Sequence, residues 1–188
     1  MLKNRGNDCG AVANIHAIVV ATLLFVMGMV SPIAAQRIEL ESRGALGMGG
    51  GWESSAATPN SSIGARVQFS WARWASYTQV SRRSYTQVCP LITAECPSGV
   101  ATETSAGGVH ISGEEGGRRR EISLGVGVLK WRVTDPFIEA ETRLRIPVAN
   151  RVDFSFGARG MATYGAPARG FRDPWNVDLT AGLSIMLR

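Results

Sequence analysis

The stretch WNVDLTAGLSIMLR, residues 175–188, decides the fold class. Large apolar side chains fall on every second position, and polar or small side chains fill the positions between them. A period of two residues is the mark of a β-strand with two different faces. The alternation lasts 14 residues, whereas strands of soluble proteins are commonly about 5–6 residues long and membrane-spanning strands need about 9–11. The stretch therefore predicts a strand long enough to cross a membrane.

The same alternation recurs upstream of this stretch. Together with residues 175–188 it defines six strands, the other five lying at about 37–52, 61–74, 119–132, 137–147 and 151–163. Weaker patterns near 77–88 and 99–112 supply a seventh and an eighth strand. Bacterial outer-membrane barrels have even strand numbers, with short turns at one end and longer loops at the other. The sequence therefore predicts an all-β fold, an antiparallel up-and-down transmembrane β-barrel of eight strands.

The polar faces of these strands carry both signs of charge. Glu139, Glu141, Arg143 and Arg145 form the best such row. Unpaired charges inside a narrow barrel cost several kcal/mol each, so mixed signs fit an interior and leave the apolar faces to lipid. We predict an inward polar network of Glu39, Glu41, Arg43, Arg66, Glu139, Glu141, Arg143, Arg145, Asp153, Arg159 and Asp178.

Two other structures remain open for this pattern. A soluble periplasmic β-sandwich or lipocalin-like binder also alternates, because the apolar face of one sheet packs against another. A small pore lined by the charged rows is the second alternative. The interior of an eight-stranded barrel is just wide enough for side chains to fill it, so a plugged interior is the simpler interpretation.

The N-terminus has the three parts of a secretory signal peptide: a short basic region, an apolar run at 11–30 and a small-residue cleavage site. We expect cleavage after Ala35, which leaves Gln36 as the first residue of a barrel domain at 36–188. A retained membrane-anchoring helix is the alternative. The apolar run reaches the required length of about 20 residues only by including Asn14 and His16, which favours the cleaved signal peptide.

The cysteines and tryptophans add two expectations. Cys89 and Cys96 flank a short segment rich in turn formers, and an oxidising periplasm favours their pairing as a disulfide. The tryptophans lie near predicted strand ends, which fits aromatic girdles at the two membrane interfaces, although tryptophans of an ordinary core are the alternative. These interface aromatics are Trp52, Trp71, Trp74, Trp131 and Trp175.

The signal peptide, the glycine-rich run 44–52 (GALGMGGGW) in the first strand and the meandering strands that follow resemble the small OmpA-like, porin-family outer-membrane β-barrels. The resemblance covers about 36–188. It implies an eight-stranded up-and-down barrel with periplasmic turns and surface loops, and no common enzymatic activity. It also implies insertion by the outer-membrane assembly machinery, which usually reads a C-terminal aromatic residue, whereas this chain ends in Arg188.

These observations predict a non-enzymatic outer-membrane protein with a structural or surface-interaction role. We expect outer-membrane lipid around the barrel and an unidentified ligand at loops 89–117 and 164–174. No cofactor or metal is expected, and no nucleic-acid partner, because the 20 basic residues are mostly spread along the chain. The enzymatic alternative is an envelope lipid hydrolase. His110 and Ser112, with Glu114 or Glu121, would form its triad, in loose similarity to the His-x-Ser of lipid A deacylases.

Overall fold

The computed structural model describes residues 37–50, 58–85, 99–130, 134–164 and 175–187. They form eight strands, which confirms the predicted all-β fold. The part of the chain that the structure describes contains no helix of sufficient length and apolar character to cross a membrane. The strands are β1 (Arg37–Gly50), β2 (Thr58–Trp71), β3 (Trp74–Tyr85), β4 (Gly99–Glu115), β5 (Arg118–Lys130), β6 (Thr134–Ala149), β7 (Val152–Thr163) and β8 (Trp175–Met186).

The sheet closes on itself. Every strand pairs antiparallel with its neighbours in sequence, and β8 pairs with β1, so the topology is up-and-down and the β-sandwich alternative is wrong. Following the paired residues once around the barrel from Leu40 leads to Gly50, ten residues further along β1. Such a stagger requires strands tilted by about 35–45°, and the interior then has room for side chains but little more.

The strand connections give the barrel two different ends. Two-residue turns join β2 to β3, β4 to β5 and β6 to β7, and β1 begins and β8 ends on the same side; we call this the turn end. The other connections leave from the opposite side, the loop end, and contain residues 51–57, 86–98, 131–133 and 165–174. Gly116 and Gly117 form the turn between β4 and β5, and both have positive φ, 58° and 76°. A two-residue turn with two positive φ values has the same twist as the strands that it joins.

Two predicted boundaries are wrong. Residues 61–74 are not one strand, because β2 ends at Trp71, the chain turns at Ala72 with a φ of 51°, and β3 begins at Trp74. Residues 89–117 are not one loop, because β4 occupies Gly99–Glu115 and a two-residue turn follows it. β2 and β3 therefore keep the predicted lengths but lie three residues earlier in the chain. β4 is longer than the predicted strand at 99–112, and the loop before it is correspondingly shorter than 89–117.

The barrel is apolar outside and charged inside. Leu46 and Leu179 on the outer face are 72% and 71% exposed, whereas Arg66 and Arg83 on the inner face are 1% and 0% exposed. Exposed large apolar side chains occur on all eight strands. Alternation places one polarity on each face, and closure turns every polar face inward. This arrangement is the reverse of a soluble protein, whose interior is apolar.

Candidate functional site

Nine charged side chains meet inside the barrel near the turn end and form the turn-end cluster. Glu39 of β1 accepts hydrogen bonds from Arg119 of β5 at 2.7 Å and from Arg145 of β6 at 2.5 Å. These pairs join strands that are not neighbours, so they cross the lumen. The cluster has five arginines and four glutamates: Glu39, Glu41, Arg43, Arg66, Arg119, Glu121, Glu141, Arg143 and Arg145.

Five charged side chains nearer the loop end form the loop-end cluster, which consists of Arg83, Glu103, Glu139, Arg159 and Asp178. Arg83 donates to both carboxylate oxygens of Asp178, at 2.9 and 2.6 Å, and pairs with Glu103. Arg159 lies 2.8 Å from Glu139 and 3.2 Å from Glu103. Burying these charges costs desolvation energy, and the shared partners offset that cost. Each cluster is therefore a network of shared partners rather than a set of isolated pairs.

Tyr77 of β3 joins the two clusters. Its hydroxyl donates to Glu139 at 2.5 Å, and the guanidinium of Arg66 lies 3.7 Å from its ring centroid, within cation–π range. The inner face of β5 makes room for this ring, because a Cβ added to Gly125 would lie 2.0 Å from the Tyr77 hydroxyl oxygen. The tyrosine therefore extends past β4 to the glycine of β5 and connects the polar layers.

An apolar layer follows beyond the loop-end cluster. Ala101, Leu129, Phe137 and Met161 pack together and are buried. On β4, β6 and β7 these residues are the next inward positions after the charged ones, in the direction of the loop end. From the turn end outward, ion pairs, the Tyr77 ring, more ion pairs and this apolar group follow one another, and buried Asp135 and Asn176 lie at the same end as the apolar group. This arrangement suits a structural filling of the lumen.

The predicted inward network lies where the alternation places it, with one exception. Ten of the eleven residues are buried in the two clusters. Asp153 is only half-buried beside the turn end and joins no ion pair among the described residues. Sequence reasoning left four charged members of the clusters out of the network: Arg83, Glu103, Arg119 and Glu121.

The structure describes three of the five tryptophans that were predicted to form aromatic girdles. Trp71 and Trp74 flank the first turn of the turn end, and Trp74 is 56% exposed. Trp175 begins β8 at the loop end. Tryptophans therefore occupy both ends of the described barrel. Trp52 and Trp131 lie outside the described residues, as do Cys89, Cys96 and the segment 1–35.

Among the described residues, no hydrogen bond or ion pair joins any two of the four residues proposed for the hydrolytic triad, which are His110, Ser112, Glu114 and Glu121. His110 is on the outer face of β4 and packs against Trp74, with ring centroids 4.8 Å apart. Ser112 occupies a β-bulge and donates to the carbonyl of Arg120 at 3.3 Å. Glu121 points into the lumen, where it pairs with arginines of the turn-end cluster. Within the described ranges, no three His, Cys, Asp or Glu side chains are grouped as metal ligands either.

A closed barrel of eight antiparallel strands with an apolar exterior and a charged interior is the architecture of the small outer-membrane β-barrels. The solved structure of Neisserial surface protein A (NspA) has the same fold. It aligns with a TM-score of 0.63 and 11% identity over 79% of this chain and 96% of NspA. No protein-family model and no curated protein matches the sequence.

Two further barrels align with lower scores. A structure from the de novo design of transmembrane β-barrels has a TM-score of 0.46 and 9% identity over 81% of this chain and 97% of the design. The attachment invasion locus protein Ail of Yersinia pestis has a TM-score of 0.42 and 8% identity, over 80% of this chain and 97% of Ail.

Proposed function

We propose that this chain is a non-enzymatic outer-membrane protein whose barrel anchors loops that act at the cell surface. One observation carries the proposal: exposed large apolar side chains cover all eight strands, while the charged side chains of the two clusters are buried inside. Exposing that much apolar surface to water is unfavourable, at roughly 25 cal/mol per Å². A lipid bilayer removes that cost, and a closed barrel leaves no unpaired strand edge within it.

The two ends of the barrel suggest its orientation. Outer-membrane barrels place short turns in the periplasm and longer loops outside the cell. The turn end would then face the periplasm, and the loop end would present residues 51–57, 86–98, 131–133 and 165–174 at the surface. Binding residues are commonly carried on loops that a rigid scaffold holds in place, and a surface ligand would be bound there.

The contents of the barrel weigh against the alternatives of a pore and a lipocalin-like binder. A pore needs a hydrated lumen, and a lipocalin needs an apolar ligand cavity. Here the lumen holds the fourteen charged side chains of the two clusters, and ion pairs between strands that are not neighbours cross it. Such a filling supports a structural role for the barrel itself.

Two measurements on the full chain expressed in a Gram-negative host test this proposal. We expect the protein in the outer-membrane fraction after extraction with alkaline carbonate. On SDS gels we expect a mobility shift between unheated and boiled samples, because a closed barrel resists SDS until it is heated. A protein released as a soluble species, with one mobility in both samples, would overturn the membrane assignment.

A further inference from the structure

Two cations share one row on the outer face of the barrel near the loop end. Arg82 of β3 and Lys130 of β5 are both exposed. Each lies next to a buried inward residue of its own strand, Arg83 in β3 and Leu129 in β5. Thr102 of β4, also exposed, lies between them, because Arg82 pairs with Thr102 and Thr102 pairs with Lys130. Neighbouring strands are about 4.8 Å apart, so the two cations begin about 10 Å apart with a hydroxyl between them.

The row is basic, and its surroundings are apolar. Neither Arg82 nor Lys130 forms an ion pair with a described residue. In the loop-end half of the described strands, no acidic side chain lies on the outer face. Toward the turn end, Val80 lies two residues from Arg82 and Val126 lies four residues from Lys130, and they are 53% and 57% exposed. A cation at this height on a lipid-facing surface is unfavourable unless its head group reaches the interface or an anion.

We propose that the Arg82–Thr102–Lys130 row binds the phosphate group of a lipid in the outer leaflet. This inference rests on the proposed outer-membrane location. A guanidinium binds phosphate with two parallel N–H donors, an ammonium adds a point charge, and a hydroxyl adds a third donor. The acyl chains would then lie along the apolar surface that includes Val80 and Val126. A free phosphate would gain the charges but not this surface, which is why we assign the site to a lipid.

The test uses the full chain, expressed in a Gram-negative host and purified from the outer membrane in dodecyl maltoside. Native mass spectrometry measures binding of bisphosphorylated lipid A and of the same lipid after removal of its phosphates. The test variant is Arg82→Gln/Lys130→Gln. The matched control is Arg118→Gln/Arg120→Gln, which removes two exposed cations from the outer face of β5 at the turn end.

We expect the test variant to bind bisphosphorylated lipid A at least about tenfold more weakly than the wild type, since hydrogen bonds to charged groups are the strong ones. The control variant should bind within about twofold of the wild type, and the dephosphorylated lipid should bind the wild type at least about tenfold more weakly. Equal binding of both lipids, or equal weakening by both variants, would overturn the proposal. Displacement of the lipid by inorganic phosphate would overturn its assignment to a lipid.

The proposed location and this inference fail in different ways. Loss of the outer-membrane fraction or of the heat-dependent gel shift would contradict the location. An outer-membrane, heat-modifiable protein whose lipid binding ignores Arg82 and Lys130 would contradict the phosphate row alone.

Discussion

Replacing Arg83 with methionine tests whether the interior charges are buried and paired. Arg83 is completely buried and supplies two hydrogen bonds to Asp178, an ion pair to Glu103 and a hydrogen bond to Asn60. In Arg83→Met, Glu103 keeps Arg159 at 3.2 Å, but the remaining charged neighbour of Asp178 is Arg159 at 3.9 Å. Breaking a buried pair by removing one partner costs about 3–5 kcal/mol. We therefore expect Arg83→Met to lower the free energy of unfolding by about 3–5 kcal/mol.

A second substitution separates the stranded charge from the lost packing. Asp178→Asn removes the carboxylate that Arg83→Met leaves behind and keeps its size. We expect the double variant to recover about 2–3 kcal/mol of the loss, since residues in contact couple by that order. The control is Arg118→Met, the same change at an exposed residue of the turn end that belongs to neither cluster. Exposed substitutions of this kind usually change stability by no more than about 0.5 kcal/mol.

The assay is equilibrium unfolding in urea, followed by tryptophan fluorescence, with the protein in phosphatidylcholine vesicles. If Arg83→Met costs no more than Arg118→Met, the guanidinium of Arg83 must already be in water. A double variant as unstable as Arg83→Met would show that the stranded carboxylate is not the cause. Either result would refute the interior described above, and the first would favour a hydrated channel.

Three further predictions follow from other parts of the chain. Gly125→Val should lower stability by about 1–3 kcal/mol in the same assay, because its side chain would collide with Tyr77, and a neutral result would contradict that packing. In planar bilayers the wild type should show no steady conductance steps, since ion pairs cross its lumen, and regular steps would restore the pore. Mass spectrometry of the exported protein should find Gln36 as the first residue and a Cys89–Cys96 disulfide after alkylation without reduction; free thiols or a retained leader would contradict those expectations.

The sequence predicts strands well where the two faces differ in polarity. In β8, Leu179 and Leu183 alternate with Thr180 and Ser184, and period two is evident. In β3 the outward residues Ser76 and Thr78 are as polar as their inward neighbours, so the contrast disappears. The same holds in β4, where Thr102 and Thr104 face outward. For this reason the sequence pattern does not place Arg83 and Glu103, which lie on these two strands, in the inward network.

The first turn was missed for a different reason. A positive φ is expected at glycine or asparagine, and here the turn residue is Ala72, which gives no such signal. The ion-pair partners are also beyond sequence reasoning, because they depend on closure and stagger. Glu39 and Arg119 are 80 residues apart and meet only because β1 and β5 lie on opposite sides of one narrow lumen. Alternation predicts that both side chains point inward, but not that they touch.

The central claim is that the apolar face of the barrel contacts lipid. Contacts between lipid acyl chains and individual methyl groups test this claim most directly. The measurement is a nuclear Overhauser experiment between acyl-chain protons and labelled leucine and valine methyls of the full chain in lipid nanodiscs. Leu124 and Leu129 are a matched pair on β5, 66% and 4% exposed. We predict strong lipid contacts for Leu124 and Leu179, and none for Leu129 or Val109. Lipid contacts at Leu129 and Val109 but not at Leu124, or a protein that folds in plain buffer and ignores the lipid, would contradict the account.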